Sequence, residues 1–148
     1  MHGLYGCIWI ADFFRREFPV FAATPMRSAL LTTAVALSLD LQLDPLASLS
    51  GLFWRWNDAL PEWFLSVPLV NYVAWFSAFT PFGYAYWALH DRLDLSESMR
   101  LGKLLTRIPN VVVTAGILFF GLMFVFECGF GGPTYRILGD FFTKILPY

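Results

Sequence analysis

Apolar residues gather into four segments, 3–14, 28–54, 63–89 and 108–126, and the polar stretches between them carry most of the charge. The intervals 63–89 and 108–126 contain no charged residue at all. Each approaches or exceeds the roughly 20 residues that a helix needs to cross a hydrocarbon layer about 30 Å thick. The segment 28–54 is long enough to cross with tilt or kinks, and Pro45, Pro68 and Pro81 are the candidate kink points. Segment 3–14 is short, and fits a tilted, partial or re-entrant helix better than a full span. Beyond Phe126, the run from Glu127 to Pro133 reads as a turn that ends the last of these helices. In 134–146 apolar residues return at Ile137, Leu138, Phe141, Phe142 and Ile145, the spacing of a helix with one apolar face. The connection 90–107 mixes both signs and holds a short helical pattern over 98–106 that suits a solvated interfacial helix. The pattern therefore predicts an all-α integral membrane helix bundle of three to four transmembrane helices, with a carboxyl-terminal interfacial helix. It forms a single membrane domain over 1–148.

Charge adds an orientation. Arg15, Arg16 and Arg27 lie in the first connection and Arg92, Arg100, Lys103 and Arg107 in the third, whereas the second has Arg55 beside Asp58 and Glu62. The positive-inside rule places loops 15–27 and 90–107 in the cytoplasm and the loop around 57–61 outside. Both termini lie outside if 3–14 crosses; the amino terminus is cytoplasmic if it does not. The first residues lack the basic start and small-residue cleavage site of a signal peptide, and are expected to remain in the mature protein.

Composition narrows the chemistry. With 57% hydrophobic and 14% charged residues, the chain departs from soluble domains of its length, and lipid is its expected solvent. A net charge of −1 and the lack of a basic stripe give no expectation of nucleic acid. Cys7 and Cys128 are too few for a disulfide framework or a zinc site. His2 and His90 lack the i+3 or i+4 histidine partners of iron-binding histidine boxes. The glycines of 129–132 lack the strand and spacing of a nucleotide-binding loop. No metal and no cofactor is expected, which leaves carboxylate chemistry in lipid.

The carboxylates that stand out are Asp40 and Asp44, one helical turn apart inside the apolar segment 28–54. An aspartate at the centre of a membrane helix costs about 2.5–3.5 kcal/mol on insertion scales. Positions i and i+4 share a face, so both carboxyls enter one small volume. At a separation of about 6 Å and an effective dielectric near 20, two negative charges would repel by about 2.8 kcal/mol. One acid and one base are the natural outcome. Around them stand Asn71 and, at the margin, Glu62, framed by Trp54, Trp56, Trp63, Tyr72 and Trp75. Trp54, Trp56 and Trp63 suit interfacial anchors as well as ligand contacts. Trp75 suits helix packing or a pocket wall, and Asn71 suits a bond across helices to the aspartates.

These residues carry a resemblance. Asp40-Leu41-Gln42-Leu43-Asp44-Pro45, Gly51-Leu52-Phe53-Trp54-Arg55-Trp56 and Val67-Pro68-Leu69-Val70-Asn71-Tyr72-Val73-Ala74-Trp75 resemble the integral-membrane carotenoid biosynthesis proteins that include the acyclic-carotenoid hydratases of bacteria and haloarchaea. The pattern covers Trp9 to Trp75, and corresponds to the carboxyl-terminal half of enzymes that look about twice as long. Departures are Ser66 and Ala74 where glycine is usual, Tyr72 for phenylalanine, and one extra residue between Gly51 and Trp54. The resemblance implies a bacterial cytoplasmic (inner) membrane and addition of water to the terminal double bond of a linear carotenoid. Asp40 and Asp44 would be catalytic, with Trp54, Trp56, Asn71, Tyr72 and Trp75 binding the ligand. Half a catalytic scaffold, sixteen phenylalanines and an amphipathic tail lead first to a non-catalytic subunit of a larger, pigment-binding or photosynthetic membrane complex. Its partners would be other membrane subunits and a carotenoid or other pigment. The hydratase itself is the alternative, and a proton or ion pathway through the aspartate pair is a third reading.

Overall fold

The computed structural model describes residues 2–50, 56, 62–64, 67–92 and 94–130. Among the described residues, five helices and one small ribbon follow in order: α1 (His2–Glu17), α2 (Pro19–Ala22), α3 (Pro25–Leu49), β1 (Glu62–Phe64), β2 (Val67–Pro68), α4 (Leu69–His90) and α5 (Glu97–Phe130). The class is all-α. Among the described residues, two helices, Pro25–Leu49 and Glu97–Val125, are long and apolar enough to cross a membrane.

Proline and hydroxyl residues set the helix starts. Thr24 precedes α3 with extended backbone, its side chain accepts from the Arg27 amide, and Pro25 fills the first turn, where no amide hydrogen is needed. Ser96 similarly accepts from the Met99 amide ahead of α5. Pro68 begins α4 from extended backbone. Pro45, Pro81 and Pro109 lie inside α3, α4 and α5. Such prolines are tolerated where neighbouring helices satisfy the freed carbonyls.

Three expected boundaries are corrected. The charge-free interval 63–89 is not one helix, because β1 and β2 pair antiparallel, Glu62 opposite Pro68 and Phe64 opposite Val67, and the helix starts at Leu69. Trp63 therefore belongs to a strand, and Pro68 ends the ribbon instead of kinking a helix. The connection 90–107 does not carry a separate helix over 98–106: α5 runs unbroken for 34 residues, so the charged stretch is its first turns. Nor does the turn begin after Phe126, since the helix continues to Phe130. Arg27, placed in a connection by its charge, lies in the first turn of α3, where its guanidinium reaches the Val20 carbonyl. The interfacial helix expected over 134–146 lies outside the described residues.

α3 packs chiefly on α4, which also packs on α5, while α1 lies against α3. The α3–α4 seam is inverted relative to a soluble protein. Its buried positions on α3 are Ser28, Ala29, Thr32, Thr33, Ala36, Asp40, Asp44, Pro45 and Ala47, whereas Leu30, Leu39, Leu41, Leu43, Leu46 and Leu49 face outward. Small and hydroxyl residues inside with leucine outside is the arrangement that lipid favours, because hydrocarbon gives leucine no reason to hide. Hydrogen bonds close the seam: Thr33 and Thr80 hydroxyls meet at 3.1 Å, and Trp87 Nε1 donates to Thr32 Oγ1 at 2.9 Å. Gly83 lets the backbones approach, since a Cβ there would lie 3.2 Å from the Ala29 Cα.

At one end of the bundle, Arg15 on α1 is buried and ties α1 to the end of α4. Its Nη2 donates to both Asp91 carboxylate oxygens at 2.8 Å, and its guanidinium carbon lies 3.9 Å from the centroid of a Trp87 ring. Ile8, Ala11, Ala29 and the fully buried Trp87 form the apolar cluster beneath it.

Candidate functional site

The opposite end of the α3–α4 seam holds the acidic pair. Asp40 and Asp44 are 3% and 7% exposed, so both carboxyls are sheltered. They share a face because α3 is helical throughout 25–49, and that face meets the first turns of α4. There Asn71 divides its amide between them: Nδ2 donates to Asp40 Oδ2 at 2.9 Å and to Asp44 Oδ2 at 2.6 Å. Bonded to the same amide nitrogen, the two carboxyls are held side by side. An –NH₂ group has two hydrogens, and each carboxyl takes one.

The surroundings explain how the pair is kept from water. β2 packs against both α3 and α4 beside it, and Val67 is fully buried. Tyr72, next to Asn71 on α4, is buried. Trp75 lies one turn beyond Asn71, half-buried, with its ring stacked on Phe79 at 4.9 Å and 19°. Trp56 is half-buried, and its indole Nε1 is enclosed without a hydrogen-bond partner among the described residues. Trp54 lies outside the described residues, as do the side chains of Glu62 and Trp63. Of the residues singled out by sequence, the structure thus brings together Asp40, Asp44, Asn71 and Tyr72. It directs one face of Trp75 to a neighbouring ring.

Sequence reasoning overlooked the polar track that continues from this pair along α3. Ser28, Thr32 and Thr33 are buried on the same seam. The signal was present in their spacing, since 28, 32, 33, 36, 40 and 44 fall on one helical stripe. Ser77, fully within the interior of α4, has a hydroxyl with no partner among the described residues. No cluster of three or more histidine, cysteine, aspartate or glutamate side chains is placed to hold a metal ion among the described residues.

A helix pair that hides hydroxyls, shows leucines and shelters two carboxyls at one end defines a membrane-type helical protein with a paired carboxyl site in its interior. The sequence comparison narrows this: the family described as carotenoid biosynthesis protein matches residues 5–136, and the chain belongs to that family. The match extends well past the stretch ending at Trp75 that carries the motifs. No curated protein and no solved structure matches the chain.

Proposed function

We propose that this chain is a membrane-inserted hydratase that adds water to the terminal double bond of an acyclic carotenoid, with Asp40 and Asp44 as its acid and base. The observation that supports it most is the Asn71 bridge, which holds two sheltered carboxyls together on one side of a helix seam. Two sheltered carboxyls held side by side by one amide repel as a pair of anions, so the reading has them keep one proton between them, the state from which acid–base catalysis starts.

In the reaction, the protonated carboxyl gives its proton to the less substituted alkene carbon. The π pair forms the new C–H bond and leaves a tertiary cation. A water oxygen then bonds to that carbon while the carboxylate takes a water proton, giving a tertiary alcohol. The two carboxyls have exchanged roles, and passage of the proton from one to the other restores the start. Sheltering from bulk water strengthens each electrostatic step. Tyr72 and Trp75, on the helix that carries Asn71, would offer aromatic faces to the cation, for which such a face is attractive; Trp54 and Trp56 are given the same role by the family resemblance alone.

In this reading α3, α4 and α5 cross a bacterial inner membrane, with loops 15–27 and 90–107 in the cytoplasm. A second reading is favoured by the outward face of α5, where Val112, Val113, Ile117, Phe120, Phe124 and Val125 are exposed. A non-catalytic subunit of a larger pigment-binding membrane complex would use that face against a partner subunit, and Asn71 and the aspartates as a structural clasp.

Cells that make an acyclic carotenoid separate the two readings when they express the wild type, Asp40→Asn and Asp44→Asn. The enzyme reading expects a carotenoid heavier by one water with the wild type only, all three chains accumulating equally in the membrane. No product from a well-expressed wild type, together with its isolation in a stable complex with other subunits, supports the clasp reading instead.

A further inference from the structure

Farther along α4 from the acidic pair, toward its carboxyl-terminal half, lies a cleft of about 420 Å³ lined by residues of α4, α5 and the start of α3. That volume is within the roughly 300–1,000 Å³ of ordinary ligand sites. Met26 and Leu118 represent its predominantly apolar wall, and Tyr84, Arg107, Asn110 and Thr114 supply polar groups. Thr114 donates to the Asn110 backbone carbonyl, so its hydrogen is taken; the Asn110 amide and the Tyr84 hydroxyl remain as donors.

Arg107 distinguishes this cleft from a plain gap between helices. It is half-buried, and no carboxylate or other acceptor holds its guanidinium among the described residues. By contrast Arg100, two turns earlier, donates to the Arg92 carbonyl, and Lys103 is exposed. Arg107 is also the last charged residue before the charge-free run 108–126. It therefore stands at the depth where an apolar helix meets lipid headgroups. A half-buried cation without a counter-charge is costly, and a ligand anion would relieve it.

We propose that this cleft binds an anionic phospholipid, its phosphate on Arg107 and Asn110 and its first methylenes against the apolar wall. The apolar lining favours a lipid over a free phosphate, which would lose hydration there. The positive field of Arg107 and Lys103 favours an anionic headgroup over a zwitterionic one, as basic pockets between membrane helices do. Tyr84, 45% exposed, lies at the open side.

Native mass spectrometry of the full chain released from micelles doped with phosphatidylglycerol or phosphatidylcholine tests this. Wild type is expected to retain one phosphatidylglycerol and little phosphatidylcholine. Arg107→Gln is expected to lower retention about fivefold, the worth of one basic residue near a membrane surface. Arg107→Lys should keep most of it, and Lys103→Gln should change it less than twofold. Equal retention of both lipids by the wild type overturns the proposal without recourse to any variant. So does an equal loss from Lys103→Gln, which would signify a diffuse field, or displacement by soluble glycerol phosphate, which would signify a free-anion site. A chain that leaves the micelle only as a lipid-free dimer would assign the cleft to a second copy.

Discussion

Two hydrogens on one amide hold the acidic pair, and that makes Asn71 the residue whose loss should be felt most. Asn71→Leu removes both donations at once and leaves two sheltered carboxyls with fewer partners. Unsatisfied buried groups cost about 1–3 kcal/mol each, so unfolding in detergent should show a loss of at least that size. Asn71→Asp should be worse, since it replaces the donors with a third acid. Asp40→Asn, in contrast, keeps shape and supplies an amide of its own. Its stability should stay within about 1 kcal/mol of the wild type while its chemistry is lost. The pair was legible in the sequence because a charged residue in an apolar run is conspicuous, and the i, i+4 spacing fixes a shared face. The two-way bond from Asn71 was legible only as one option, because nothing in a sequence gives the axial register of two antiparallel helices.

Between elements, close approach and one buried cation hold the bundle. A side chain at Gly83 would meet the Ala29 backbone, which cannot yield as a flexible side chain could. Gly83→Val should force α3 and α4 apart and destabilise by about 1–3 kcal/mol, the usual range for overpacking, read as a lowered unfolding midpoint. Arg15 ties α1 to α4 through Asp91 and covers Trp87. Arg15→Ala should cost about 1.5–3 kcal/mol, as for hydrogen bonds to charged groups, and should release α1 to proteolysis before the other helices. Arg15→Lys should recover only part, since an ammonium cannot both lie flat on the ring and reach the carboxylate. The Arg92–Asp94 pair is different. Both side chains are exposed, and although the arginine holds the Asp94 carboxyl below its usual range, Asp94→Asn should leave stability nearly unchanged. Local pattern set the helices that carry an apolar run, but it misplaced the start of α4 and the start of α5. At 62–68 the strand pairing overrode hydropathy, because an apolar run of that length suits a strand as readily as a helix. At 97–107 a charged stretch could continue the apolar helix behind it, since charge alone does not break a helix.

At the scale of the whole molecule, outward leucines and inward hydroxyls suit a lipid solvent, and the positive-inside rule supplies an orientation to test. With Cys7 and Cys128 replaced by serine, single cysteines at positions 17 and 98 should be labelled by a membrane-impermeant reagent from the same side of sealed vesicles, the cytoplasmic one. Labelling from opposite sides would require an odd number of crossings between them and would refute the arrangement of α3 and α4 as paired spans. The family was readable from motifs confined to the first half of the chain, and the match over 5–136 extends it to α5, where no motif is distinctive. Arg15's role and the Arg107 cleft were not readable, because each depends on which helices lie side by side.

The central claim is that the sheltered pair moves protons during addition of water to a carbon–carbon double bond. Membranes containing the chain, supplied with an acyclic carotenoid in water enriched in both deuterium and oxygen-18, measure that directly. The account predicts one solvent deuterium on carbon and one solvent oxygen in the product of the wild type, with formation reduced at least about 100-fold in Asp40→Asn and in Asp44→Asn. Product formation that persists at the wild-type rate in either variant would contradict it.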